Sequence, residues 1–204
     1  MSIMSYNGGA VIAMTGKECV AIACDLRLGI QNQTIATDYR KVFRVHDKLF
    51  VGLSGLATDM QTLSQRFAFR HNLYKLREER NMKPTTFANL VSHMLYERRF
   101  GPYYAEPVIA GLDENNQPYI TGMDLIGAMA PASDFVVAGS SSESLFGVCE
   151  SFWKPDMDAE TLFETLGQCI LTGVNRDCLA GWGAAIYIIT PTGITAKTLK
   201  GRQD

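Results

Sequence analysis

The spacing of apolar residues along this chain changes in blocks. Between residues 10 and 53 they fall in short runs closed by turn residues. Residues 10–14 are apolar and Thr15-Gly16-Lys17 makes a turn; residues 19–24 are a second apolar run, and Gly29 closes that unit. Short apolar runs bounded by turns suit strands covered on both faces. Residues 33–37, 42–45 and 49–53 predict three more strands.

The period then lengthens. Residues 58–80 are rich in helix formers and contain no Gly or Pro, with Met60, Leu63 and Phe67 on one face. Lys83-Pro84 breaks the run. Phe87, Leu90, Val91, Met94 and Leu95 then follow the stripe of an amphipathic helix, for which Thr85 or Thr86 is the expected cap. Two helices with so short a join predict an antiparallel pair.

Gly101-Pro102 ends the helical block. Residues 107–111 and 118–123 read as a β-hairpin around Asp113-Glu114-Asn115-Asn116. Residues 135–138 are a short strand and residues 141–153 a helix, with Ser140 as its expected cap. Asp158 opens a further helix whose Leu162, Leu166, Cys169 and Ile170 share a face. The strands 184–189 and 194–199 finish the chain around Pro191-Thr192-Gly193. Strands and helix pairs come in blocks, not in β-α-β alternation, which excludes a Rossmann-type sheet and predicts an α+β fold.

Composition narrows the picture. The 204 residues are 47% hydrophobic and 20% charged, ordinary for one globular domain over residues 1–204. Nineteen basic against 21 acidic residues leave a net charge of −2 and no dominant basic face for nucleic acid. Arg98-Arg99 reads as a solvated or interface charge pair. No apolar run approaches a membrane span. The five cysteines form no C-x-x-C pair; with no signal peptide, they are expected to be reduced, small buried hydrophobes in an intracellular protein. His46, His71 and His93 are scattered, so neither a metal site nor a cofactor is expected.

Residues 20–27, Val20-Ala21-Ile22-Ala23-Cys24-Asp25-Leu26-Arg27, resemble the strand-then-Asp-x-Arg signature of eukaryotic 20S proteasome β subunits. Lys41-Val42-Phe43, Gly52-Leu53-Ser54-Gly55, Gly139-Ser140-Ser141 and the stretch from Asn175 to Gly183 continue it in order. Asn7-Gly8-Gly9, Leu73-Tyr74-Lys75-Leu76, the run from Tyr96 to Tyr104 and Asp124-Leu125-Ile126-Gly127 resemble the type-3 β subunits in particular. The resemblance implies the N-terminal nucleophile hydrolase fold: a four-layer α-β-β-α sandwich of two antiparallel sheets flanked by helix pairs.

Active members of that family cut a propeptide after a Gly to expose an N-terminal Thr. Its hydroxyl attacks the peptide carbonyl and its α-amine, which titrates near neutrality, helps move the proton. Counting back from Asp25 puts Gly9 at the nucleophile and Gly8 at the residue before the cut. Counting forward puts Lys41 at the catalytic Lys, with Asp25 its partner; Ser140 and Asp177 match the remaining polar supports. Glycine supplies no hydroxyl, so no catalytic residue is expected and residues 1–8 should stay uncut. Ala180 stands where active members carry Ser, a second departure. Each retained residue also has a structural reading: Asp25 and Lys41 as an ion pair, Asp177 as an organiser of its helix end.

The resemblance implies a non-catalytic subunit of the β ring. Its neighbours would be the type-2 and type-4 β subunits, with the α ring above and the second β ring opposite, in a particle of cytoplasm and nucleus that degrades ubiquitin-tagged proteins. Asp124 matches the carboxylate that type-3 subunits present to the trypsin-like type-2 pocket, where it favours basic polypeptide side chains. Its alternative reading is a strand-end turn. Many type-3 subunits carry Cys just after the Gly, whereas this chain has Ala128, so no sulfur contact carries over. Two other readings stand beside this one: an N-terminal hydrolase using Ser2, seven residues before Gly9, and a free-standing ligand-binding protein.

Overall fold

Strands β1 (Ala10–Gly16) and β2 (Cys19–Asp25) are buried along both faces, because alternate side chains feed two different cores. The computed structural model describes residues 2–203. Ile12, Met14, Ala21 and Ala23 point to one core; Val11, Ala13, Val20 and Ile22 point to the other. The period of two in the apolar runs is thus hidden in the sequence, where both sets are apolar.

Two five-stranded antiparallel sheets and two helix pairs are built around them. The first sheet runs β10 (Phe135–Gly139), β1, β2, β11 (Ala184–Thr190), β12 (Gly193–Leu199). The second runs β5 (Val42–His46), β6 (Leu49–Gly55), β7 (Ala105–Leu112), β8 (Pro118–Met123), β9 (Met129–Ala132). Helices α3 (Ser142–Phe152) and α4 (Ala159–Val174) cover the first sheet; α1 (Ala57–Glu78) and α2 (Pro84–Tyr96) cover the second. The sheets meet face to face through Val11, Ile22, Phe50, Val108 and Ile120. The order is helices, sheet, sheet, helices, as expected. α3 and α4 pack along one another, and α1 meets α2 where the rings of Phe67 and Phe87 cross edge-on at 5.6 Å.

Several local expectations are corrected. Thr15 and Gly16 belong to β1, and the turn is Lys17-Glu18, with Glu18 left-handed at φ 53°. Gly29 lies inside a strand, β3 (Leu28–Ile30), which pairs with β4 (Gln33–Ala36) in a separate hairpin. Neither Thr85 nor Thr86 caps α2. Pro84 opens that helix at its first position, where its missing N–H costs nothing, and Lys83 is the cap residue. β9 gives no strand signal in the sequence because Pro131 sits within it; the strand lies at the sheet edge, where Pro is tolerated. Asp158 does cap α4, its Oδ1 accepting the Thr161 amide at 2.9 Å. Cys19, Cys24, Cys149 and Cys169 are buried free thiols, and burial pushes the Cys19 thiol up to about 11, but Cys178 is exposed.

Among the described residues no helix is long and apolar enough to cross a membrane, and no group of three His, Cys, Asp or Glu could hold a metal ion.

Candidate functional site

At one end of the sandwich, the start of β1, the end of β2 and the residue before β5 converge on a buried ion pair. Asp25 is 0% and Lys41 1% exposed, and Lys41 Nζ lies 2.8 Å from Asp25 Oδ1. Lys41 also donates to the carbonyls of Arg27 at 2.7 Å and Asp25 at 3.3 Å. Three acceptors match the three hydrogens of an ammonium group. The Asp25 carboxylate is equally occupied. Its Oδ1 also accepts the Ala10 amide at 2.9 Å, and its Oδ2 accepts the amides of Gly181 at 3.1 Å and Arg27 at 3.2 Å. One side chain therefore ties β1, β2, the loop after α4 and Lys41 together.

Gly9 sits directly over this pair. A β-carbon there would stand 2.5 Å from Lys41 Cε and 3.3 Å from Asp25 Oδ1, and Gly9 has φ +128°, a region L side chains rarely adopt. Lys41 therefore fills the space a side chain at residue 9 needs. The Gly9 amide donates to Ser140 Oγ at 3.3 Å, and Ser140 donates onward to Asp177 Oδ2 at 2.8 Å. Ser141 also donates to Asp177 Oδ2, and the Leu179 amide donates to Oδ1 at 2.9 Å.

These contacts correct the expectation for Ser140. Ser141, not Ser140, holds the cap position of α3, and it makes no side-chain cap bond. Both hydroxyls are drawn to Asp177 instead, because a carboxylate is the stronger acceptor. Gly9, Asp25, Lys41, Ser140 and Asp177 thus form one connected network, brought together from positions up to 168 residues apart. Ser2 lies apart from it, exposed, with its Oγ accepting the Met4 amide at the start of a short 3₁₀ turn (Ile3–Ser5). Asp124 is exposed at the end of β8, and its Oδ1 accepts the amides of Ile126 at 3.0 Å and Ala128 at 2.8 Å.

Two residues matter more than their sequence context indicates. Arg27 is 1% exposed. It donates to Thr34 Oγ1 at 3.0 Å and to the carbonyls of Gln31 at 2.8 Å, Leu179 at 3.1 Å and Asn7 at 3.3 Å. Gly29 makes room for it: a β-carbon there would lie 2.3 Å from the guanidinium. Asn7 pins the segment before Gly9, donating to the Gly29 carbonyl at 2.9 Å and accepting the Ala57 amide at 2.8 Å. It thereby caps α1, whose own cap residue, Leu56, has no side-chain acceptor. Proximity of Asn7 to Ala57 exists only in the folded chain, so spacing alone carries no signal for it.

A sandwich of two antiparallel sheets between helix pairs, with a buried Lys–Asp pair under the residue that leads into a central strand, is the N-terminal nucleophile hydrolase fold. A family model described as "Proteasome subunit" matches residues 5–189. The chain belongs to the proteasome subunit family. It is 63% identical to "Proteasome subunit beta type-3" of Picea mariana over all of both chains. The subunits of that name from Dictyostelium discoideum and Drosophila melanogaster are 58% and 53% identical, again over the full length of both. Agreement at that level assigns it to the beta type-3 subunits of the 20S core, and it assembles with other proteasome subunits.

Proposed function

We propose that the chain is a non-catalytic member of the β ring, whose neighbours carry out the proteolysis. The observation that carries this reading is Gly9 lying over Lys41. The Lys and Asp that would stabilise an ionised nucleophile are in place, but the residue above them has no hydroxyl or thiol. The ammonium is held by two carbonyls and a carboxylate, so it serves as a structural cation joining β2 to β5. The chain sits between the type-2 and type-4 β subunits, beneath the α ring and facing the second β ring, in a particle of cytoplasm and nucleus that degrades ubiquitin-tagged polypeptides. The test is an intact-mass measurement on the purified particle after treatment with an epoxyketone, which requires an N-terminal nucleophile and its free amine. This chain is expected to keep its unmodified mass while neighbouring β subunits gain the adduct; an adduct on this chain would falsify the reading.

Asp124 serves the type-2 neighbour in the same proposal. Its Oδ1 is committed to its own turn, which holds an exposed negative charge in a fixed place at the end of β8. A fixed carboxylate at the rim of a pocket favours basic side chains of substrate. Asp124→Asn keeps an Oδ1 acceptor for both amides and removes only the charge. Cleavage after Arg and Lys by the intact particle is expected to fall several-fold in kcat/KM, with cleavage after apolar residues unchanged. Equal kinetics for both substrate classes in mutant and native particles would remove Asp124 from the pocket.

A further inference from the structure

Outside the Lys41 network, two histidines stack beside the connection between α1 and α2. His46 ends β5 and His71 lies on the inner face of α1; their ring centres are 5.4 Å apart and the planes 27° from parallel. His46 is fully engaged as a neutral imidazole. Its Nε2 is 2.9 Å from the Met82 carbonyl, which can only accept, so Nε2 carries the hydrogen. Its Nδ1 accepts the Lys48 amide at 3.2 Å and so carries none. A second proton on Nδ1 would point a donor at a donor.

His71 is 3% exposed, and its Nδ1 has no hydrogen-bond partner. The Asn81 side chain lies close enough to the ring to favour its charged form. Asn81 and Met82 both belong to the connector between α1 and α2, which begins at Glu79 in a left-handed conformation. His46 therefore holds the connector at Met82, and His71 backs that ring from α1.

The charged groups around the pair do not favour a proton. Lys75, one turn beyond His71 on α1, repels a charge on either ring. Asp47, in the β5–β6 turn, is the carboxylate that faces His46, and it is already paired with Arg44. Burial is the largest influence on both rings and holds them below the ordinary imidazole value of 6.5. The hydrogen bond His46 donates to the Met82 carbonyl, the nearness of Asn81 to His71 and the Asp47 charge only partly oppose it. Because the folded values are depressed, the unfolded chain binds more protons. The stabilising effect is complete above the ordinary value and is lost as pH falls through the folded values.

We propose that the His46–His71 stack is an acid-sensitive latch: as neutral rings the pair fastens the α1–α2 connector to the β5–β6 turn, and proton uptake releases it. Protonation of His46 removes the acceptor for the Lys48 amide. Protonation of His71 places a charge against the underside of α1 with Lys75 beside it. Either event favours a locally opened connector in which the rings reach water, without unfolding the sheets.

Amide hydrogen exchange on the assembled particle reads this directly, at about pH 7.5 and about pH 5.5, with exchange times scaled to the intrinsic rate. The Lys48 amide, which His46 accepts, and the hydrogen-bonded Glu79 and Phe87 amides at the two ends of the connector are expected to lose protection roughly tenfold at the lower pH, while peptides of the β11–β12 hairpin hold theirs. His46→Gln keeps one donor for Met82 and one acceptor for Lys48 but does not titrate in this range, so with His71 alone left to take up a proton its connector is expected to lose clearly less protection than the native one. His71→Phe keeps a buried planar ring and should behave alike if the first variant fails to assemble. A native connector equally protected at both pH values, or a variant that loses protection in parallel with the native chain, overturns the proposal.

Discussion

Asp25→Ala is expected to destabilise the chain by about 3–5 kcal/mol and to keep it out of assembled particles. The carboxylate holds Lys41 at 2.8 Å and accepts the amides of Ala10, Arg27 and Gly181, and it is 0% exposed. Removing it leaves an ammonium in the interior without its counter-charge and three amides without their acceptor. A single domain has a margin of about 5–15 kcal/mol, so one such change consumes much of it. Asp25→Asn should fall between, since an amide oxygen can still accept but no longer neutralises Lys41. The measurement is the fraction of tagged variant that enters particles when co-expressed with the native chain. Incorporation of Asp25→Ala at the native level would mean that the pair contributes no more than an exposed one.

Gly9→Thr is expected to give no working nucleophile. The new β-carbon would stand 2.5 Å from Lys41 Cε and 3.0 Å from Cδ, so the lysine has to leave the Asp25 carboxylate before the threonine fits. The backbone at φ +128° adds about 1–3 kcal/mol of strain for a non-glycine residue. Chemistry is also missing. The residue 9 nitrogen is an amide as long as Gly8 stays attached, so it offers no free amine as base. Asn7 keeps that upstream segment tied to Gly29 and Ala57. The variant particle is expected to show a lowered unfolding temperature for this subunit, an uncut residue 8–9 bond and no epoxyketone adduct. An adduct on the introduced threonine would show that the site is missing only its hydroxyl and that Lys41 is freer to move than its bonds imply.

How much of this is legible in the chain varies by residue. Phe87, Val91, Met94 and Leu95 are readable as one helical face because three- and four-residue spacing projects onto one side of a helix whatever it packs against. Asp158 is readable as a cap because its acceptor lies three residues from the amide it serves. Asp25, Lys41 and Asp177 emerge through family resemblance, since no local spacing relates them. Ser140 misleads: a serine before a helix has a local acceptor role, and only the fold brings Asp177 close enough to outcompete it. β9 is hidden because Pro131 argues against a strand unless the strand is known to lie at an edge. Gly29 reads as the close of a strand unit because nothing in its neighbours says that the Arg27 guanidinium will lie against it.

Local chemistry along the chain was enough to set the helices and the long central strands, the block order that excludes an alternating α/β sheet, and the missing side chain at residue 9. Those follow from interactions spanning a few residues, or from composition at one position. Tertiary structure alone decided which face of β1 and β2 meets which core, that Asn7 caps a helix starting fifty residues later, and that Lys41 is satisfied by carbonyls under Gly9. Each of these is a hydrogen bond or contact between distant segments. Its geometry is set by the packing of two sheets whose apolar runs look alike in sequence, so it exists only once those sheets have met.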